Sequence, residues 1–357
     1  ELTSTAGSHF LNNKESKMNF GAFFLATSAE SEDPKVVYDR ASEYIVSAET
    51  LNFDSLWFAE HHFSNYGYIP NPLLMATKAA TLTDSIRIGT AVLVLPFWNP
   101  LRVAEDIALT DHLTDGRLEV GVARGYQPFE FKRFGLTLDD ARERTDETLE
   151  ILLMALTQQT FSWQGNYFDI PETTILPAPK QQPTPPIWLA AHSQESFDIA
   201  AKFGLNAFTT TSGQTIDTLV EVWSNYQDAL ERYPSAPKML GVQAQLCVMD
   251  SDEIAQEQMT HFRYQNRQAR TLKSGKAQVI SGVSTPLPYE DEPGLDELFT
   301  DRTLSGSPDT VIKKIKAFQS VADIDQINCV FHFGGMDPKL SSQSMKLFAE
   351  EVAPEFR

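Results

Sequence analysis

The feature that most narrows the fold is a repeating beat. From Met18 onward, short apolar runs rich in β-branched and aromatic residues alternate with stretches whose apolar positions recur at helical spacing. The runs are MNFGAFFLA (18–26), SLWFAE (55–60), IRIGTAVLVLP (86–96), LEVGVARG (118–125), PIWLAA (186–191), NAFTT (206–210), GVQAQLCVM (241–249) and INCVFHF (327–333). Helical stretches fall near 33–51, 72–82, 100–114, 139–157, 194–203, 215–231, 252–270 and 338–351. The first opens on Asp33-Pro34, a helix start with proline in the first turn, and Val37, Ala41, Tyr44, Ala48 and Leu51 form its apolar stripe. The third run is almost wholly apolar, as a strand covered on both faces requires. Eight units of this kind predict an α/β chain folded as a (β/α)8 TIM barrel in preference to an open doubly wound sheet.

Three segments interrupt the beat. Residues 1–17 lack periodicity and read as a disordered or linker-like leader outside the fold, leaving 18–357 as one barrel domain. Between the fourth helix and the fifth strand, FSWQGNYFDIPETTILPAPKQQPTPP reads as a barrel insertion, not a domain linker, because the beat resumes at once. Its prolines exclude helix and favour an extended surface path. The interval 271–304, placed between strand 7 and helix 8, is the widest gap and reads as a lid over the C-terminal face, the alternative being disorder.

Charge and composition limit the partners. With 48 acidic against 29 basic residues the chain carries −19, which disfavours nucleic acid and anionic lipid as partners. No apolar run approaches the roughly 18 residues of a membrane span. The two cysteines, Cys247 and Cys329, sit in strand-like runs and read as buried free thiols, which fits a reducing cytoplasm.

Working residues of such barrels lie at the C-terminal ends of strands. Glu60, His61 and His62 end the second strand, and by residue type they are a metal site, a proton-handling pair or turn filler. No H-x-H, no HExxH and no nucleophile elbow accompanies them, so no metal is assigned. Arg124 after the fourth strand and Ser193 and Ser196 at the start of the fifth helix form an anion site, since a guanidinium and a helix N-terminus both favour phosphate. Each also has a plain reading, as a surface ion pair and as helix caps. SGSPDT (305–310) is a second anion candidate that also reads as a simple helix start.

In this order, EHHF (60–63), IGTAVLVLP (88–96) with the following NP, AED (104–106), DGR (115–117), VARG (122–125), FGL after it and SMKLFAEEVAP (344–354) resemble the bacterial luciferase-like flavin monooxygenases, especially the luciferase α subunit. The likeness runs from about Met18 to Pro354. It implies a barrel that binds reduced FMN. The phosphate arginine falls on Arg124, and an acid-serine pair falls on His192 and Ser193, with Ser196 a further phosphate contact. A non-prolyl cis peptide under the flavin ring falls on Ala91–Val92. Flavin-facing backbone falls on Glu60, Tyr126 and Ala190, and the catalytic histidine on His61, with His62 beside it.

The resemblance further implies a two-component FMNH2-dependent monooxygenase. A separate flavin reductase supplies FMNH2, O2 reacts through a flavin C4a-(hydro)peroxide, and a small organic substrate receives one oxygen atom. No GxGxxG dinucleotide fingerprint is present. Phe24, Tyr68, Trp98, Phe129 and Phe331 are candidates for the substrate wall, and helices 2 and 3 for a homodimer contact. This chain departs from luciferase at His192, where an acid is expected, at Ala123 and at the bulky Phe97-Trp98-Asn99. Two other readings share the barrel: an F420-dependent oxidoreductase and a non-catalytic flavin-binding or partner subunit.

Overall fold

A computed structural model describes residues 17–211, 214–234 and 239–357, so the expected leader lies, but for Lys17, outside the described residues. Eight parallel strands close into a barrel: β1 Asn19–Phe24, β2 Ser55–Phe58, β3 Arg87–Val94, β4 Leu118–Ala123, β5 Ile187–Ala190, β6 Asn206–Thr210, β7 Leu240–Val248 and β8 Gln326–Val330. Each pairs with the next in sequence, and Asn19 opposite Gln326 joins β8 to β1, so no strand of the ring keeps an unpaired edge.

The barrel is a packed core. Trp57 and Trp188 meet edge to face with centroids 5.6 Å apart, and Phe23, Phe208 and Val330 complete the layer. At the N-terminal end Trp188 Nε1 donates to the buried Glu119 at 2.6 Å, and Arg87 pairs with the same carboxylate. Both thiols are buried and free; burial pushes Cys247 up to about 12 and Cys329 well above the ordinary value.

Helices cover the outside: α1 Pro34–Thr50, α2 Pro72–Ala80, α3 Pro100–Leu113, α4 Ala141–Thr157, α5 Gln194–Phe203 and α6 Ile216–Arg232. Three of them start the same way, with the side chain of Asp33, Asn71 or Asn99 accepting from the first free N–H groups ahead of a proline that has none to satisfy. The Pro-rich insertion is not purely extended. Phe161–Gln164 pairs antiparallel with Asp169–Thr173, and the Glu147 carboxylate on α4 accepts from Trp163 Nε1 at 3.0 Å and from the N–H groups of Asn166, Tyr167 and Phe168. A carboxylate fixed on a helix thus accepts from the N–H groups of the hairpin turn.

The connection from β7 to β8 departs most from expectation. It precedes strand 8, and the interval 271–304 is neither structureless nor a plain loop. It holds the hairpin Val279–Ile280/Val283–Ser284, the helix Leu295–Asp301 and the strand Leu304–Gly306, which pairs with the end of β7. Ser281 and Gly282 both have positive φ (50 and 83), the geometry of a two-residue hairpin turn, which is why glycine stands there. The expected helix 252–270 is two pieces, Asp252–Glu257 and α7 Met259–Lys273. It is α8, Pro308–Val321, absent from the predicted set, that packs Val311 and Ile315 into the outer core, whereas Met259 and Phe262 of α7 pack on Met249, Phe333 and Met336 above the strand ends. α9, Pro338–Leu347, follows β8.

Between Thr90 and Leu93 the β3–β4 register shifts, three residues on β3 spanning two on β4, and the Ala91–Val92 peptide within that bulge is cis. Opposite it, Gly121 N–H donates to Thr90 Oγ1 at 3.0 Å, and a β-carbon on Gly121 would lie 2.1 Å from Thr90 O. Gly121→Ala is therefore expected to lower stability by roughly 1–3 kcal/mol in urea unfolding, against no loss for Gly294→Ala, where nothing stands within 4 Å.

Candidate active site

The turn after β2 is built on two buried carboxylates. Glu60 is wholly covered, and its Oε2 accepts from Val94 N–H at 2.9 Å and Trp98 Nε1 at 3.1 Å, so it pins the end of β3 to the end of β2. Its Oε1 meets His62 Nε2 at 2.8 Å. Burial raises the Glu60 pKa, and those donors, His62 first, oppose the rise. His62 is boxed by the rings of Phe134 and Phe97, with centroids 4.8 and 5.6 Å away.

The second carboxylate is Glu130, on the short helix Pro128–Arg133, buried to 2%. Its Oε1 lies 3.1 Å from His61 Nδ1 and accepts from His62 N–H at 2.8 Å. A carboxylate can only accept, so Glu130 favours the proton on His61 Nδ1, in which case the Gln127 NH2 group beside that nitrogen makes no bond to it; among the described residues no hydrogen bond to Nε2 is found. Around His61 stand Tyr66, at 4.6 Å between centroids, and Tyr126, at 6.1 Å. Gln127 is fully buried with Nε2 3.2 Å from His61 Nδ1 and 3.3 Å from Tyr126 Oη, while its Oε1 has no partner. Burial raises the Tyr66 pKa, and the protein crowded around the Tyr126 hydroxyl raises that of Tyr126, although its ring reaches solvent. Sequence reasoning missed Glu130 and Gln127, which lie outside any strand end. The one signal was a glutamate flanked by Phe129 and Phe131 in PFEF.

The anion end lies one strand further round. Val122 pairs with Leu189, so Arg124 leaves β4 alongside Ala191 and the turn His192–Ser193. Arg124 is exposed and, among the described residues, makes no hydrogen bond or ion pair, which removes its surface-pair reading. Ser193 and Ser196 form a reciprocal capping box: Ser193 Oγ accepts from Ser196 N–H, and Ser196 Oγ accepts from the N–H groups of His192 and Ser193 at 3.0 Å each. Their hydroxyls are thus committed to the helix start. His192 Nδ1 is 2.9 Å from Thr209 Oγ1. The ring reaches solvent but is crowded by protein, and that desolvation, with Lys273 nearby, lowers its pKa, which disfavours the charged form. At SGSPDT the helix start is filled by the chain itself, since Asp252 accepts from Ser307 N–H at 2.6 Å and Thr310 Oγ1 at 2.9 Å. That site does not await an anion.

The apolar candidates separate. Phe129 packs with Tyr66, Ala91, Val92 and Ala190 in the cluster that fills the barrel and its mouth. Phe24 and Phe331 do not: both are buried between the barrel and its helices, Phe24 against Tyr44 and Phe331 against Phe53 and Phe348. Alternation along a strand turned them outward, one residue out of step with the interior. Tyr68 faces α1, where its carbonyl accepts from Tyr38 Oη at 2.8 Å, and Trp98 is held by Glu60.

The quoted motifs placed a histidine pair after β2, a cis peptide at Ala91–Val92 and an arginine at the end of β4; the peptide is cis, within a β3 bulge. The family model for luciferase-like monooxygenases matches residues 18–323. The chain belongs to that family. It is a flavin-dependent monooxygenase on a TIM barrel. The oxygenase component of the flavin-dependent trigonelline monooxygenase of Acinetobacter baylyi is 27% identical over 348 residues, 95% of this chain and 96% of that one. Monooxygenase RslO1 from Streptomyces bottropensis superposes with a TM-score of 0.83 at 24% identity, over 95% of this chain and all of that one. The oxygenating constituent of 3,6-diketocamphane monooxygenase of Pseudomonas putida, in complex with FMN, does so with 0.79 at 23%, over 95% and 98%. At these identities the structural matches speak for the fold.

The residues present fit a phosphorylated flavin. A free guanidinium, a buried amide oxygen without a partner at Gln127 and an apolar wall that includes Ala91, Val92 and Ala190 suit an anionic tail, a polar ring edge and a flat ring respectively. Among the described residues no group of three His, Cys, Asp or Glu is placed to hold a metal ion.

One further strand-end histidine sets a pH limit. His332 follows β8, its Nδ1 buried without a partner, and burial together with Arg40 pushes its pKa to about 4. The unfolded chain binds this proton near the ordinary value of about 6.5, so stability is present above that pH and lost as pH falls toward 4. His332→Gln is expected to cut the stability lost between pH 7 and 5, measured by urea unfolding, by about 2 kcal/mol.

Proposed function

We propose that the chain is the oxygenase half of a two-component monooxygenase, which takes reduced FMN from a separate reductase and uses O2 to place one oxygen atom in a small organic substrate. The observation that carries this reading is the His61–Glu130 pair at the barrel mouth, with an unpaired Arg124 at the end of β4. The trigonelline monooxygenase relative, itself named an oxygenase component, supports the division of labour.

The bound group would supply the two electrons that activate O2. Arg124 would bind the phosphate, and the apolar cluster with Ala91, Val92, Ala190 and Phe129 would seat the ring. His61 would hold or deliver a proton at Nε2, because Nδ1 is committed to Glu130; that carboxylate keeps the imidazole in one tautomer and orientation, as an acid does beneath a general base. His62, tied to Glu60, would position the turn. Ala277 and Val279, from the segment between α7 and α8, pack on the same apolar cluster and would exclude water. Leu74 on α2 and Leu109 and Leu113 on α3 are exposed at 67%, 49% and 57%, an apolar face that supports a homodimer through those helices.

The phosphate assignment is tested by binding. Arg124→Ala should weaken FMN roughly ten- to a hundredfold, since the lost bonds are charge-assisted, and leave riboflavin unchanged. Equal losses for both ligands in a fluorescence titration would reject the contact.

A further inference from the structure

The segment 276–293, here called the strap, is fastened to the catalytic turn at one residue. Asn65 is buried to 1%, and every polar atom it has is spent on another segment. Its N–H donates to Gly282 O at 2.7 Å, at the tip of the strap hairpin. Its Oδ1 accepts from Ser284 N–H, from Ser284 Oγ and from Gln268 Nε2 of α7, each at 2.9 Å. Gln268 Nε2 also donates to Ser284 Oγ at 2.6 Å. On its other side Asn65 Nδ2 donates to Ser28 O at 2.9 Å, and Ser28 N–H donates to Asn65 O at 3.0 Å, in the β1–α1 loop. Gln268 and Ser284 are themselves buried to 0% and 1%. Such a buried network is costly to break in part.

The same residue abuts the machinery. Tyr66, the next in the chain, is the ring 4.6 Å from His61. Gly67 follows, and a β-carbon there would lie 2.8 Å from His61 Cβ, so its backbone presses directly on that side chain. At the far end of the strap, a β-carbon on Gly275 would lie 3.7 Å from Pro128 Cγ, beside Gln127. Between Gly275 and the Asn65 hydrogen bonds, Ala277 and Val279 lie on the cluster of Tyr66, Ala91, Val92 and Ala190. Strap, Asn65, Tyr66 and His61 are thus one continuous line of contact.

We propose that Asn65 is a positioning residue that latches the strap shut and, through the same hydrogen bonds, sets the Tyr66–Gly67 segment against His61. Opening the mouth therefore disarms the imidazole, and closing it restores the geometry. The catalytic consequence rests on the role given to His61 above; the mechanical coupling does not.

The test uses the full chain without cofactor. Ser284→Ala removes one of the three donors to Asn65 Oδ1 and leaves the 60–69 turn intact in sequence; Asn65→Ala removes the latch. In hydrogen exchange followed by mass spectrometry, both variants should speed exchange in 278–285, Asn65→Ala by about tenfold or more, and should speed 60–69 in parallel while 241–247 in β7 stays protected. The ring signals of His61 in NMR spectra should shift in Ser284→Ala. If 278–285 loosens while 60–69 and the His61 signals stay put, the coupling is wrong; if Ser284→Ala changes neither segment, the latch is wrong. No flavin enters the experiment, so its failure would leave the function proposed above standing.

Discussion

The arrangement depends on a carboxylate placed where water is scarce. Glu130 is buried to 2%, yet its oxygen is shared by His61 Nδ1 and the His62 N–H. A buried acid is costly unless such donors meet it, and here the donors belong to the turn that the acid must hold. Glu60 does the same one residue earlier, joining β2 to the end of β3 beside the cis peptide. Two acids thus each hold one nitrogen of an imidazole, Glu60 on His62 Nε2 and Glu130 on His61 Nδ1.

Much of the barrel was legible because burial on both faces writes strands as unbroken apolar runs, and because β/α alternation fixes their number. NAFTT and the helix after Ser193 match to the residue. What failed was local. Ser307-Pro308 marked the start of α8, but the helix that follows buries only Val311 and Ile315, too short an apolar stripe to show helical spacing. The hairpin 279–284 has strands of only two residues each, too short to show alternation. For the site, the cis peptide and His61 were reachable through the family's motifs, whereas Glu130, Gln127 and Asn65 act through contacts with residues 69, 66 and 219 positions away. Phe24 and Phe331 were misjudged because membership of a strand end does not say which face a side chain takes.

The electrostatics are consistent with an anionic ligand held locally in an acidic chain. A net charge of −19 gives no long-range attraction for phosphate, so recognition falls to cations the fold leaves unpaired. Arg124 meets that description, while the serines of α5 spend their hydroxyls on capping and Asp252 closes the alternative helix start. The strap then covers an apolar wall and not a charged one, which suits a ring that must be kept from water.

The central claim is that this mouth seats a flavin with its ring beside His61 and its tail at Arg124. A crystal structure of the chain soaked with FMN decides it most directly. The account predicts the ring over the Ala91–Val92 peptide and the phosphate on the Arg124 guanidinium. Density for FMN elsewhere, or a metal ion held between His61 and His62, would contradict it.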